Sequence, residues 1–248
     1  MIRRRNMLAG LGAGLTLSAC EKIGSTAPAQ KLLSSTDRFT LAAQRLVTDR
    51  AALAPEYSEA EMSPIFRANG SREPASPEWQ AHRANGFRTW RLAVRGLVAR
   101  PLNLSLPTLM AMPRRVQITK HDCVEGWSAI GKWHGVPLKL VLDRAGVSDR
   151  ARYVLFRCAD AIRGVPYYES IDMVEALHPQ TILAYGMNGQ MLPTAHGAPL
   201  RLRTERQLGY KHAKYVMAIE VIDSFKDIAG GKGGYWEDVS GYEWWAGI

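Results

Sequence analysis

The sequence predicts a mixed α+β fold rich in strands, from three observations. From Trp90 onward, apolar and polar residues alternate in short runs with the period of a strand, the first being "WRLAVRGLV", 90–98. Between them lie short stretches with helical spacing. The strands and helices do not follow each other at regular βαβ intervals, which argues against a wound parallel sheet.

Taken in order, "MIRRRNMLAGLGAGLTLSAC" has Arg3, Arg4 and Arg5 ahead of a short run of apolar and small residues. That run is too short for a membrane span and has the layout of an export leader, 1–20. "RRNML" matches the twin-arginine pattern and "LSAC" a lipobox, which makes Cys20 the candidate lipid attachment residue and the periplasm, with a lipid anchor to a membrane, the expected location. An ordinary leader with a chance cysteine is the alternative. Residues 21–86 form the next division: a small, polar tether, a helix over "STDRFTLAAQRLVTDRAAL" (35–53) ended by Pro55, and an irregular stretch of prolines and glycines.

The third division, 87–248, is the main folded domain, on which the irregular stretch is expected to pack. Strands are predicted over "RRVQITKH" (114–121), "RYVLFRCA" (152–159), "TILAYGMNG" (181–189), "APLRLRT" (198–204) and "AKYVMAIEVI" (213–222). Asn188-Gly189 signals a tight hairpin turn. "LPTLMAM" (106–112), "PLKLVLDRAG" (137–146) and "IDMVEALHP" (171–179) read as short helices. The final run, "GGKGGYWEDVSGYEWWAGI", reads as a segment that wraps the domain or forms a partner-facing lid.

The formal charge of +9 falls to +6 without the three leader arginines, and no basic run is interleaved with aromatics as nucleic-acid binding would require. No GxGxxG, GxxxxGK[ST], HExxH or CxxCH occurs, so the commonest nucleotide, zinc and c-haem signatures are missing. Of the three cysteines, Cys123 and Cys158 remain if Cys20 carries lipid. Three readings stand: a disulfide between them, two small buried hydrophobes, or Cys123 as a soft thiolate ligand. Lys120 and His121 favour a thiolate, whereas Asp122 and Glu125 sit awkwardly beside a sealed core disulfide.

Several motifs in order decide further. "CVEGW" follows an alternating strand, "WHGVPL" opens a helix, and "EALHPQTILAYGMNGQMLPTAHGAPLRLRTERQLGYKHAKYVMAIEV" carries an "NG" turn, an "HGAPLR" segment and "GYK". Together, from Leu92 to Val221, they resemble the molybdopterin-binding domain of the sulfite oxidase family. The nearest branch is bacterial and exported, and includes the periplasmic methionine sulfoxide reductase catalytic subunit.

The resemblance implies a sulfite-oxidase-type fold holding a molybdenum-molybdopterin cofactor, with Cys123 as the protein ligand to the metal. It implies cofactor contacts from His196, Arg201, Gly209, Tyr210 and Lys211, the last on the phosphate, and from Asn69. Cys158 stands where the branch has a small polar residue near the cofactor. Glu125, two residues from the ligand, is a candidate for holding a water or tuning the centre.

The implied activity is a two-electron oxo transfer, reduction of an S- or N-oxide being favoured over sulfite oxidation. "VEGW" replaces the arginine-bearing stretch that helps sulfite oxidases bind their anion, although Arg163 or Lys132 can supply charge from elsewhere. With no haem motif in the chain, a haem-containing partner, a membrane b-type or a c-type cytochrome, is expected to exchange the electrons. The immunoglobulin-like dimerisation domain of sulfite oxidases is missing, so a monomer is expected. The competing reading from another class is a cofactor-free periplasmic lipoprotein serving as a binding module.

Replacing Arg4 and Arg5 by lysine is expected to strand the precursor in the cytoplasm, and Cys20→Ala to release soluble protein from membranes. Fractionation and immunoblotting check both, and wild-type behaviour of Cys20→Ala would leave the lipobox as chance.

Overall fold

The computed structural model describes residues 41–46 and 49–248. The leader, Cys20, the tether and most of the helix expected over 35–53 lie outside these residues; within that helix, 41–46 are helical. The chain divides into two compact units, Met1–Asp49 and Arg50–Ile248, and the second holds the fold described below.

Ten strands form two sheets. The first contains β1 (Arg91–Gly96), β2 (Leu102–Ser105), β5 (Tyr153–Ile162), β6 (Val165–Asp172) and β10 (Val216–Ile222), in the order β2-β1-β10-β5-β6. Its strands are antiparallel except for the β1–β10 pair. The second runs β3 (Arg115–Asp122), β4 (Ser128–Pro137), β7 (Ile182–Met187) and β8 (Gln190–Met191), with β9 (Arg201–Arg203) also on β7. Asn188 and Gly189 join β7 to β8 with φ of 50° and 82°, the left-handed pair that a two-residue hairpin demands.

Five helices complete the unit: α1 (Pro77–Ala84), α2 (Leu106–Met110), α3 (Leu138–Ala145), α4 (Met173–Ala176) and α5 (Tyr235–Ser240). In α3, Leu138, Val141, Leu142 and Ala145 are all buried, the i, i+3, i+4, i+7 stripe of a core-facing helix, and Gly146 ends it at φ 70°. These residues pack with Leu92, Val94, Val154, Phe156, Ile219 and Val221 of the first sheet in the main core. Trp133, Ile182, Ala184 and Met187 form a smaller cluster with Phe66 against it. Each such large side chain contributes about 1.5–3 kcal/mol on burial.

Within 87–248 the predicted strands and helices are present, mostly shorter than the runs suggested. β2, β4, β6, α1 and α5 were not legible. In β4, "SAIGKWHGVP" carries two glycines that read as breakers, yet they let partners approach: a Cβ on Gly135 would sit 2.2 Å from the Leu183 carbonyl oxygen. In β6, Pro166 and the buried Glu169, Ser170 and Asp172 hide the apolar pattern. α1 is signalled by Ser76, whose Oγ accepts from the Trp79 N–H, and by Pro77 at the first turn.

Lys211 departs from expectation. It is fully buried, and its ammonium donates to Glu169 at 2.5 Å and Glu237 at 2.7 Å. The expected phosphate contact is therefore corrected: this lysine is consumed in an ion triad joining β6 to α5. Burial, with Glu237 beside it, pushes the Glu169 carboxyl well above the ordinary range, while the two carboxylates hold Lys211 up. A raised Glu169 contributes stability that is full at acid pH and is lost as pH rises through its folded value. Lys211→Met is expected to lose about 3–5 kcal/mol near pH 8 because it strands two buried carboxyls. The gap should narrow at pH 5, since the raised Glu169 carboxyl takes up its proton as pH falls, as denaturant melts at both pH values will show.

Candidate cofactor site

Cys123 begins the loop between β3 and β4. Its N–H donates to the Trp127 carbonyl at 2.9 Å, its own carbonyl accepts from Gly126 at 3.0 Å, and Gly126 takes φ 84°. This tight loop holds the thiol in the wall of a cavity of about 500 Å³, within the range of small-molecule sites. Asn69 brings its Nδ2 to 3.2 Å from the Cys123 sulfur, to which it donates a hydrogen bond.

One wall of the cavity is cationic. Arg201 is buried, with Nη1 donating to the His196 carbonyl at 3.0 Å and Nη2 to the His212 carbonyl at 3.3 Å. Its Nε has no partner. Desolvation, then the neighbouring Arg203, pulls Arg201 down to about 9. Lys214 donates to the carbonyls of Asn69 at 2.7 Å and Ala195 at 3.1 Å, and to that of Ser71. Burial and Arg201 bring it down to about 7. Arg203, by contrast, is neutralised by Glu205 at 2.5 Å.

Three histidines and a carboxyl add to the lining. Burial holds His121 and His212 well below the usual imidazole range and brings His196 to about 4. His121 Nδ1 accepts from Arg203 at 2.9 Å, which leaves its proton on Nε2. That edge faces Gly209, where a Cβ would lie 2.4 Å from Nε2, so only glycine fits. His212 Nε2 donates to the Gln207 carbonyl at 3.0 Å, leaving Nδ1 a buried acceptor with no partner. Asp160 accepts from the Ser71 hydroxyl at 2.5 Å through Oδ2, while Oδ1 is unpartnered. Burial raises this carboxyl above its ordinary value.

Of the residues the sequence singled out, Asn69, Cys123, Glu125, His196, Arg201, Gly209 and Tyr210 all line this cavity. Arg163 does too, but Lys132 does not, its ammonium being paired with Glu59. Glu125 is exposed and accepts from Trp127 Nε1 at 3.1 Å. Two expectations are corrected. Cys158 packs against the main core from β5, outside the cavity lining, with its thiol pushed up by burial. Lys211 is spent in the triad, and Lys214, three residues on, faces the cavity instead. His212 and Lys214 sit in "KHAK", where alternation about "GYK" was the available signal. Cys123 and Cys158 are both free thiols, so the disulfide that a cofactor-free binding module would use is not formed.

These features fit a molybdenum–pterin group. Cys123 is a soft donor for the metal. Lys214 and Arg201, with an unpartnered Nε, suit a phosphate, for which a planar guanidinium is well shaped. The orphaned acceptors on His212 and Asp160 suit the N–H groups of a heterocycle.

The comparisons agree. Residues 79–228 match the oxidoreductase molybdopterin binding domain family. A protein of Azospira oryzae, provisionally named protein-methionine-sulfoxide reductase subunit YedZ1, is 40% identical over 98% of this chain and 86% of its own. The protein-methionine-sulfoxide reductase catalytic subunits MsrP of Ralstonia nicotianae and Xanthomonas campestris are 38% and 36% identical over 54% and 62% of this chain. The chain spans 44% and 50% of their lengths. The sulfane dehydrogenase SoxCD from Paracoccus pantotrophus superposes with a TM-score of 0.53 over 62% of this chain and 41% of its own, at 24% identity, a likeness of fold.

A lysine brought down to about 7 is neutral in the fold but charged in the unfolded chain between there and its ordinary value. The unfolded state binds more protons in that window, so the cofactor-free protein gains stability as pH rises through it. Lys214→Met is expected to flatten that gain. Inorganic pyrophosphate should bind cofactor-free wild type more tightly at pH 6 than at pH 9, and the difference should shrink in the variant to the part that Arg201 contributes, as titration calorimetry will show.

Proposed function

Because the chain belongs to the oxidoreductase molybdopterin binding domain family, we propose that it reduces the S-oxide of methionine, free or within proteins. When bound, the molybdenum–pterin group supplies two-electron oxo-transfer chemistry. The observation that carries the reading is one cavity holding both the Cys123 sulfur, under the Asn69 amide, and the cations Arg201 and Lys214, neither hydrogen-bonded to a carboxylate. The names of its relatives support the choice of substrate.

The chain's own residues then have separable tasks. Cys123 holds the metal, and Asn69 donates to its sulfur and tempers the charge there. Arg201 and Lys214 hold the phosphate, with His196 and His212 kept neutral beside them so that they add no repulsion. Reduction of a sulfoxide breaks the S–O bond, consumes two electrons and two protons, and releases the thioether and water. Asp160 is the lining group suited to hold one of those protons, since burial keeps its carboxyl protonated to higher pH. The electrons come from a haem-containing partner, a membrane b-type or a c-type cytochrome. The protein acts in the periplasm as a monomer, exported by the twin-arginine route and anchored through Cys20.

Sulfite oxidation is the second reading, favoured by Arg163 in the cavity lining. With "VEGW" after Cys123, one charge-assisted donor is missing, and a few kcal/mol of anion binding with it.

Protein purified from its periplasm is expected to carry about one molybdenum and one pterin per chain, since a single thiolate offers one soft site. It should reduce methionine sulfoxide with a reduced dye and show little sulfite:cytochrome c activity. Cys123→Ser should remove activity and leave the circular dichroism spectrum unchanged. Metal content and turnover intact in that variant would refute the ligand assignment, and sulfite turnover at micromolar half-saturation would move the reading to sulfite.

A further inference from the structure

The family match ends at residue 228, and the glycine- and aromatic-rich run beyond it supplies none of the residues assigned above to the cofactor. In the structure it is a strap bound at several points. Glu237 is fully buried on the Lys211 ammonium. Asp238 accepts from the Gly230 and Lys232 N–H groups, each at 3.0 Å, and from the Tyr168 hydroxyl. Trp244 Nε1 donates to Ser170 Oγ at 2.9 Å. The Leu208 N–H donates to the Ala246 carbonyl and the Ile248 N–H to that of Arg206.

This anchoring fixes two rings. Trp236, beside Glu237, and Tyr242 stack at 5.8 Å between centroids and 22° between planes, and both line the cavity that holds Cys123. Tyr210 meets Tyr242 edge-on at 5.0 Å and ties its hydroxyl to the Glu243 carbonyl at 2.6 Å, so the wall is braced from the cofactor side as well.

We propose that Trp236 and Tyr242 are the specificity-determining contacts for substrate. They would select a methionine S-oxide side chain carried on a peptide over a small dialkyl sulfoxide and over an anion. The proposal rests on the reading of the cavity as an S-oxide reductase site. Sulfur and its flanking methyl and methylene groups gain from contact with aromatic rings, and a long side chain covers more ring surface than dimethyl sulfoxide does. The rings carry no charge, so they give a sulfite-like anion no counter-charge at the same place. Lys211 is a positioning residue in this scheme: through Glu237 it sets the helix that carries Trp236.

The test compares loaded wild type with Trp236→Leu and Tyr242→Ala. Trp236 also packs against the main core, so the tyrosine variant stands in should the tryptophan variant fail to fold. With a reduced dye as donor, the KM for an N-acetylated methionine-sulfoxide peptide is expected to rise about tenfold, the size of one lost hot-spot contact. Its kcat should hold, and kcat/KM for dimethyl sulfoxide should stay within about threefold. Titration calorimetry of the oxidised, loaded protein with the same peptide should show the matching loss of affinity. Equal losses on both substrates, or none on either, would overturn the proposal while leaving the reductase reading intact. Peptide binding that weakens in the variants without any turnover in wild type would sink the reductase reading and keep the wall. A wild type that does not bind the peptide overturns the proposal.

Discussion

A buried guanidinium without a carboxylate organises this molecule. Arg201 lies in the fold interior, donates only to the carbonyls of His196 and His212, and stands beside Arg203, which already has Glu205. A buried charge without a counter-charge costs several kcal/mol, and neutral dipoles return only part of that. Lys214 repeats the situation nearby on three carbonyls. Two cations in one cavity wall with no carboxylate hydrogen-bonded to either make sense for a protein that folds around an anion. The neutral histidines follow from the same constraint. A charged imidazole at His121 or His212 would add to a repulsion that the fold leaves for its ligand to cancel.

Lys211 and Lys214 show how little the residue type alone decides. They lie three residues apart, and both are lysines on the same turn out of "GYK". Lys211 meets two carboxylates and becomes an internal tie, whereas Lys214 meets only carbonyls and stays available for an anion. The difference is made by Glu169 and Glu237, which come from a strand before the lysines and a helix after them. No local pattern around "GYK" carries that information.

This explains which parts were legible in the sequence. Cys123 was readable because a lone thiol among polar neighbours is unusual, and because its loop is local, a turn closed by Gly126 between two strands. Arg201 and His196 were readable through the ordered motifs around them, and α3 through its apolar period. The phosphate-side lysine was misplaced, since its role depends on partners remote in sequence. Cys158 was assigned by position, but the side chain faces the main core. β4 and β6 escaped because glycine and buried polar residues there serve close packing and the ion triad, and so break the alternation that marks a strand.

The cavity consequently has a chemical gradient along it. At one side the cations demand a ligand of opposite charge, and the Cys123 sulfur, softened by the Asn69 amide, offers a single soft donor. Trp236 and Tyr242 line the same cavity with uncharged aromatic surface that welcomes sulfur and hydrocarbon. The triad connects the two, because Lys211 leaves the same short turn that places Gly209 and Tyr210 at the cavity, and its partner Glu237 is adjacent to Trp236. A lysine lost from the phosphate site is thereby put to use in holding the substrate wall. A chain of this size can then supply cofactor grip and substrate choice from one buried cluster.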